Sequence, residues 1–221
     1  MSLNSSNVCA PVTAASTKEP AAAVPKATPP QEENDALFRV ILSALDAAGT
    51  SHTVLHHEPT RTSAEVRSTF SCRRACCQTL AVVPSQSAAV RGVTLDSGAK
   101  AMLVSLPSPA GAPAEYALLV LSASRQLDWK AIRKALGRKT QLASQEAVYE
   151  LTGCVPGAVP PFGSLFCAVC PGAAVRTVLD PSLQEQGLTM NFNAGLRTAS
   201  VGMAVADYIA LEQPTLLRFS K

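Results

Sequence analysis

The chain has 221 residues, 47% of them hydrophobic and 16% charged, with a formal net charge of +3. That length accommodates one well-buried domain with additions, and the composition is globular, unlike a disordered or coiled-coil chain. No apolar run reaches the ~18 residues a membrane span needs, and mild basicity permits a polyanionic partner without demanding one.

Residues 1–33 are rich in Ala, Ser, Thr and Pro and poor in large apolar side chains. Such a segment cannot recover its ordering entropy, so a disordered low-complexity tail is expected. It shows neither a secretory nor a transit-peptide pattern. With seven cysteines, an odd count, this predicts reduced thiols in a cytoplasmic, soluble protein without a membrane partner.

The folded domain is expected over 34–221. Asn34–Asp35 is a good N-cap; Leu37, Phe38, Ile41, Leu42, Leu45 and Ala48 follow at helical spacing, and Gly49 supplies the stop. "SHTVLHHEP" alternates like a strand and ends at Pro59. Thr62 with Glu65 makes a capping box, predicting a short helix from about Ser63. Phe70–Val90 fits no element. "AKAMLVSL" and "YALLVLS" read as two strands of a hairpin. Asp128 caps "DWKAIRKAL", which Gly137 ends, and Ser144 caps "QEAVYEL". Short strands are predicted near Leu165–Val169, Val175–Leu179, Leu188–Phe192 and Thr198–Met203, then a helix over Val205–Leu211. Short strands interleaved with helices, without βαβ spacing, predict an α+β domain: a mixed, partly closed, β-barrel-like sheet surrounded by helices.

Between the last two groups lies "GCVPGAVPPFG". Pro156, Pro160 and Pro161 fix φ and remove amide donors, while Gly153, Gly157 and Gly163 allow positive φ or close approach. The loop is therefore stiff and presents carbonyl oxygens, with Val159 and Phe162 as apolar walls. Carbonyls beside a small apolar hollow suit an ammonium on a small side chain; phosphate would want N–H groups. The same pattern also serves a helix cap running into a tight structural turn, and spacing alone favours that plainer reading, because Gly and Pro are common loop punctuation.

Four stretches together resemble the YbaK/prolyl-tRNA-synthetase-associated family of editing domains: "HHEPTRTSAE", "RGVTLDSGAKAMLV", "LTGCVPGAVPPFGSLF", and "LDPSL" with "NFNAGLRTASVGMAVADYI". The resemblance spans about His56 to Leu211. It implies a barrel-like mixed core with surrounding helices and hydrolysis of an aminoacyl ester at the 3′ end of a mischarged tRNA; no cofactor or metal is expected, a metal-dependent hydrolase using the thiols being the weaker idea. By analogy the ester carries alanine or cysteine on proline tRNA. A non-catalytic module that docks on tRNA or on an aminoacyl-tRNA synthetase is the alternative. The family's Gly-x-x-x-Pro loop contacts the aminoacyl group through its backbone, which carries over to Gly157–Pro161. The characteristic strand lysine carries over to Lys100.

On that resemblance Lys100, Gly157, Asn193 and Ser200 form the expected catalytic set. Lys100 would stabilise charge on the ester, and Asn193 and Ser200 would orient water or the vicinal hydroxyl. As a strand-end lysine it could instead simply reach solvent. The aminoacyl group would be held by Gly153, Pro156, Gly157, Ala158, Val159, Pro160, Pro161, Phe162 and Gly163, bordered by His57, Thr60, Gly195 and Thr198. A polar hairpin turn explains Asn193, Gly195, Thr198 and Ser200 equally well. Lys130, Arg133, Lys134, Arg138 and Lys139, with no acid among them, and Arg197 are the expected tRNA contacts. A solvated helix face accounts for the run as well.

Residues 66–87 separate motifs that lie closer together in the family and read as an insertion carrying Cys72, Cys76 and Cys77. With Cys167 and Cys170 these could bind zinc, but Cys-x-x-x-Cys-Cys is poor spacing and "FCAVC" reads as a buried strand. Cys154, without an activating base, reads as a bystander. His57, at the border of the site, is not expected to act as a catalytic base, since a lone histidine is more often structural, and no Ser-His-Asp arrangement assembles.

Overall fold

A computed structural model describes residues 35–57, 96–106, 114–136, 140–173 and 175–221, all within the unit Glu33–Lys221. The expected tail, the capping box at Thr62–Glu65, Thr60, the insertion at 66–87 with its cysteines, and Arg138 and Lys139 lie outside these residues.

Helix α1 (Asp35–Ala47) buries Leu37, Ile41 and Leu45, one residue per turn. It stops where expected, at Gly49 in the left-handed region (φ 63). Strand β1 (His52–His56) pairs antiparallel with β7 (Ala199–Ala204), which pairs antiparallel with β6 (Thr189–Asn193). The second sheet is built on the expected hairpin, β2 (Ala99–Leu106) and β3 (Glu115–Ser122), in register from Ala99–Ser122 to Leu106–Glu115. Its order is β4-β2-β3-β5-β8, with β4 (Gln141–Leu142), β5 (Arg176–Leu179) and β8 (Thr215–Leu216); β5 runs parallel to both neighbours.

The mixed α+β class agrees with expectation. The barrel-like closure does not appear among the described residues: an isolated bridge, Gly98–Asn191, joins the two sheets.

The second sheet separates two apolar clusters. On one face Leu103, Leu118 and Val120 meet the buried face of α1 together with Phe162, Phe192 and Tyr208. On the other, Val104, Leu106, Leu119 and Leu121 meet Phe219 and Ile132 of α2 (Trp129–Leu136). Asp180 anchors the C-terminal residues over the second cluster. Its carboxylate accepts from the amides of Phe219 (2.7 Å), Ser220 (2.8 Å) and Ser182 (2.9 Å) and from the Ser220 hydroxyl (2.9 Å). Burial alone would raise this carboxyl, but these donors outweigh it and hold it below the usual carboxylate range.

One expected strand is wrong. Leu165–Val169 belongs to a 3₁₀ helix, Gly163–Ala168. Gly163 and Phe166 are buried while Ser164, Cys167 and Ala168 are exposed, a three-residue spacing rather than alternation. Here Thr177 and Glu212 side chains capture the main-chain donors of Gly163 and Ser164. Cys167 is therefore exposed and Cys170 half-buried, not a buried strand pair. The short helix α4 (Ser182–Gln186) was not legible; α3 (Gln145–Thr152) and α5 (Val205–Glu212) were.

Candidate functional site

The glycine- and proline-rich loop begins as a helix cap. Ser144 Oγ accepts from the amide of Ala147 (3.2 Å) to start α3, and Gly153 ends it in the left-handed region, its N–H donating to Tyr149 (2.7 Å). Gly153 has that structural job, as the plainer reading of the sequence has it.

Beyond Gly153 the loop's carbonyls are largely taken. Val155 accepts from the amide of Ala158 (3.0 Å) and Ala158 from the amide of Gly195 (3.0 Å). Gly157 accepts from Asn193 Nδ2 (2.6 Å), and Pro161 from the buried Tyr208 hydroxyl (2.7 Å). Those oxygens brace the loop, so the expected row of carbonyls facing a ligand is reduced to what remains between them. Because a trans peptide points its C=O and N–H in opposite directions, the Val159 N–H faces away from the Gly195 turn. It has no acceptor among the described residues.

Phe162 is not a wall of a hollow. It is fully buried, edge-on to Phe192 (centroids 5.4 Å apart) and Tyr208 (5.2 Å), because burying an aromatic ring there anchors the loop into the first apolar cluster. Pro160 and Pro161 are buried beside it, Val159 is half-buried and Pro156 exposed.

Gly163 closes the loop against β5. A Cβ at this position would lie 2.5 Å from the Val175 carbonyl oxygen and 2.6 Å from Thr177 Oγ1, so no larger residue fits without backbone movement. Its N–H donates to Thr177 Oγ1 (3.1 Å). The Glu212 carboxylate accepts from the Ser164 amide (3.2 Å) and from the Ser164 and Thr177 hydroxyls. Burial pushes the Glu212 carboxyl up, with these donors pulling the other way.

On the loop's inner side a continuous polar chain runs between three elements. Asn193 ends β6 and Ser200 lies opposite it on β7. The Ser200 hydroxyl, 2% exposed, donates to Asn193 Oδ1 (3.2 Å) and lies 2.6 Å from His57 Nε2. The His57 N–H donates to the Thr198 carbonyl (2.8 Å), continuing the β1–β7 ladder past His56. His57, Gly157, Asn193, Gly195, Thr198 and Ser200 thus come together. The histidine expected only at the border of the site touches the serine expected in the catalytic set.

Lys100 stands apart. Its ammonium donates to the Arg125 carbonyl, and burial lowers its pKa. Ala99 and Ala101 pack on the first cluster and Met102 and Val104 on the second, so strand alternation assigns Lys100 to the second face. The loop belongs to the first. The expected confrontation of Lys100 with the loop across one hollow is not among the described contacts.

Lys130, Arg133 and Lys134 are exposed at helical neighbour spacing on α2. Asp128 caps this helix, accepting from the amides of Lys130 (2.9 Å) and Ala131 (3.2 Å). Arg197 is half-buried in the β6–β7 turn, its Nε without a partner among the described residues. Cys154 is buried in the first cluster and its thiol is pushed up to about 12, chiefly by burial, which leaves it protonated and inert. Tyr208, Thr177 and Glu212 were missed in the sequence. Tyr208 carried a usable signal, since a tyrosine on the buried face of an apolar helix must find its hydroxyl a partner.

Residues 57–211 match the model of the aminoacyl-tRNA editing domain. In Escherichia coli strain K12, the multifunctional Ser/Thr-tRNA deacylase ProXp-y is 35% identical over 133 residues, covering 60% of this chain and 74% of the relative. The protein of that name from E. coli O157:H7 matches equally. Among solved structures, a protein proposed as a trans-editing enzyme for prolyl tRNA synthetase superimposes with a TM-score of 0.60 at 19% identity, covering 84% of this chain and 97% of that one. A scaffold used for computational epitope grafting gives 0.61 at 18% identity, over 85% and 99%. At such identities the structural likenesses speak for the fold.

Proposed function

The chain belongs to the aminoacyl-tRNA editing domain family, and we propose that it is a trans-acting hydrolase of the ester linking a small amino acid to the tRNA 3′ end. The observation that carries this reading is the chain from His57 through Ser200 and Asn193 to the Gly157 carbonyl. It spends three polar side chains on holding one peptide of an otherwise apolar loop.

The ester is already activated and the terminal ribose carries a neighbouring hydroxyl, so positioning and backbone dipoles can supply the catalysis. In this reading the Val159 N–H is aimed at the oxygen on which charge develops, and the locked Gly157 peptide keeps that amide in place. Gly157–Pro161 would contact the aminoacyl group. Lys100 takes part only if its ammonium leaves the Arg125 carbonyl. Lys130, Arg133 and Lys134, continued by Arg138 and Lys139, form the proposed phosphate footprint, with Arg197 nearer the site.

The E. coli relative is named for Ser/Thr-tRNA deacylation, so seryl and threonyl esters join alanine and cysteine on proline tRNA as candidate substrates. One methylene discriminates by only ~1–3 kcal/mol, so the pocket's small differences set the choice. The test is a panel of seryl-, threonyl-, alanyl- and cysteinyl-tRNAs offered to the full chain, with Lys100→Ala and Ser200→Ala variants. Hydrolysis of at least one ester, lost with Ser200→Ala in a folded protein, supports the reading. Binding of uncharged tRNA or a synthetase with no ester cleaved would replace it with a docking module.

A further inference from the structure

Taken together as hydrogen bonds, the three contacts of the polar chain at the loop point to one assignment of protons. A peptide carbonyl can only accept, so the group 2.6 Å from the Gly157 oxygen must be the Asn193 NH₂. That orients the amide and turns Asn193 Oδ1, another pure acceptor, toward Ser200 Oγ at 3.2 Å. Ser200 has a single hydroxyl proton and spends it there. At 2.6 Å from His57 Nε2, the serine oxygen must therefore accept, and the imidazole must donate.

From this geometry we infer that His57 is a positioning residue held with its proton on Nε2, heading a one-way relay: His57 Nε2–H to Ser200, Ser200 O–H to Asn193, Asn193 N–H to Gly157. Resting on the deacylase reading, it goes further by assigning roles. With Nε2 protonated, His57 cannot take the Ser200 proton in this state. Ser200 is then not a histidine-activated nucleophile, and the pair does not form an acyl-enzyme. The relay instead fixes the peptide between Gly157 and Ala158, whose N–H is held by Val155 (3.0 Å). That lock is extended by the Gly195–Ala158 bond (3.0 Å) to the next peptide, the one bearing the Val159 amide. The relay survives protonation of the imidazole, because a charged His57 still donates from Nε2.

The decisive measurement is long-range ¹H–¹⁵N correlation of the imidazoles in the full chain, which holds three histidines. The His57 signals are identified by their loss in His57→Gln. Neutral His57 as the Nε2–H tautomer supports the relay; the Nδ1–H tautomer overturns it whether or not any ester is cleaved. Kinetics provide the second arm. Glutamine can place a donor where Nε2 stands, whereas phenylalanine cannot. His57→Phe should lose roughly tenfold or more in turnover, the cost of stranding a buried hydroxyl. His57→Gln should recover most of that loss, and no covalent acyl-enzyme should accumulate with wild type. Equal loss in both variants, or a trapped ester on Ser200, would also overturn the assignment. Wild type inactive on every ester while His57 is Nε2–H would sink the deacylase reading and leave the relay standing.

Discussion

Removing the Tyr208 hydroxyl should loosen the loop without disturbing the core. In Tyr208→Phe the ring stays, so its edge-on contact with Phe162 at 5.2 Å survives and no cavity term enters. What goes is the donor to the Pro161 carbonyl at 2.7 Å. Tyr208, Pro161 and Phe162 are all buried, so water cannot replace it. A stranded buried acceptor costs ~1–3 kcal/mol, which for a domain of this size lowers Tm by about 2–4 °C per kcal/mol. Calorimetry on the full chain should show a drop of several degrees. Because the lost bond lies in the loop itself, ester hydrolysis should fall further than the folded fraction does at the assay temperature. A variant as stable as wild type would mean that Pro161 finds another donor. The claim that α5 braces the loop would then be refuted.

Gly163→Ala should be worse than an ordinary glycine substitution, at ~1–3 kcal/mol or more, because the contacts it creates are with the Val175 carbonyl oxygen at 2.5 Å and Thr177 Oγ1 at 2.6 Å; thermal unfolding checks it, and an unchanged Tm would show that β5 yields. Asp180→Asn should cost about 2–3 kcal/mol at neutral pH by putting a donor against donors from the C-terminal segment. Because the folded carboxyl sits below its unfolded value, the wild-type advantage is present above about pH 4 and disappears as pH falls toward the folded pKa; urea titrations at several pH values read this, and a gap that widens in acid would contradict it. Charge reversal of Lys130, Arg133 and Lys134 should weaken tRNA binding and flatten its salt dependence, measured by filter binding across ionic strength; an unchanged slope would move the footprint elsewhere.

The elements that announced themselves were those whose pattern was local. The α1 stripe, the apolar β2 and β3 runs and the Asp128 and Ser144 caps each depend on neighbours within a turn or a strand, and each was legible. "SLFCAV" was misread because its apolar run fits a strand by hydrophobicity alone. What makes it a 3₁₀ turn is capture by Thr177 and Glu212, 14 and 48 residues on from the groups they bind, and no local pattern carries that. The same limit applies at the site. The loop and the β6–β7 turn were visible as motifs, but the 143-residue separation of His57 and Ser200 hid their contact. The histidine was therefore placed only at the border of the site, while Lys100, conspicuous at the head of its strand, was given a place in the loop's hollow that its strand face does not provide.

The same geometry narrows who can attack the ester. Cys154 holds its proton because a buried thiolate would be unsolvated, and its thiol is up near 12. Ser200 holds its proton because Asn193 accepts it, and the Glu212 carboxylate is occupied by Ser164 and Thr177. Among the described residues, Cys154 thus stays a buried thiol, while Ser200 and Glu212 are engaged in hydrogen bonds that hold the loop. In the chemistry proposed for this site, water or the substrate's own hydroxyl must then supply the attacking oxygen. An ester analogue lacking the vicinal hydroxyl separates the two: retained turnover would assign the attack to water held at the site, and abolished turnover to the substrate.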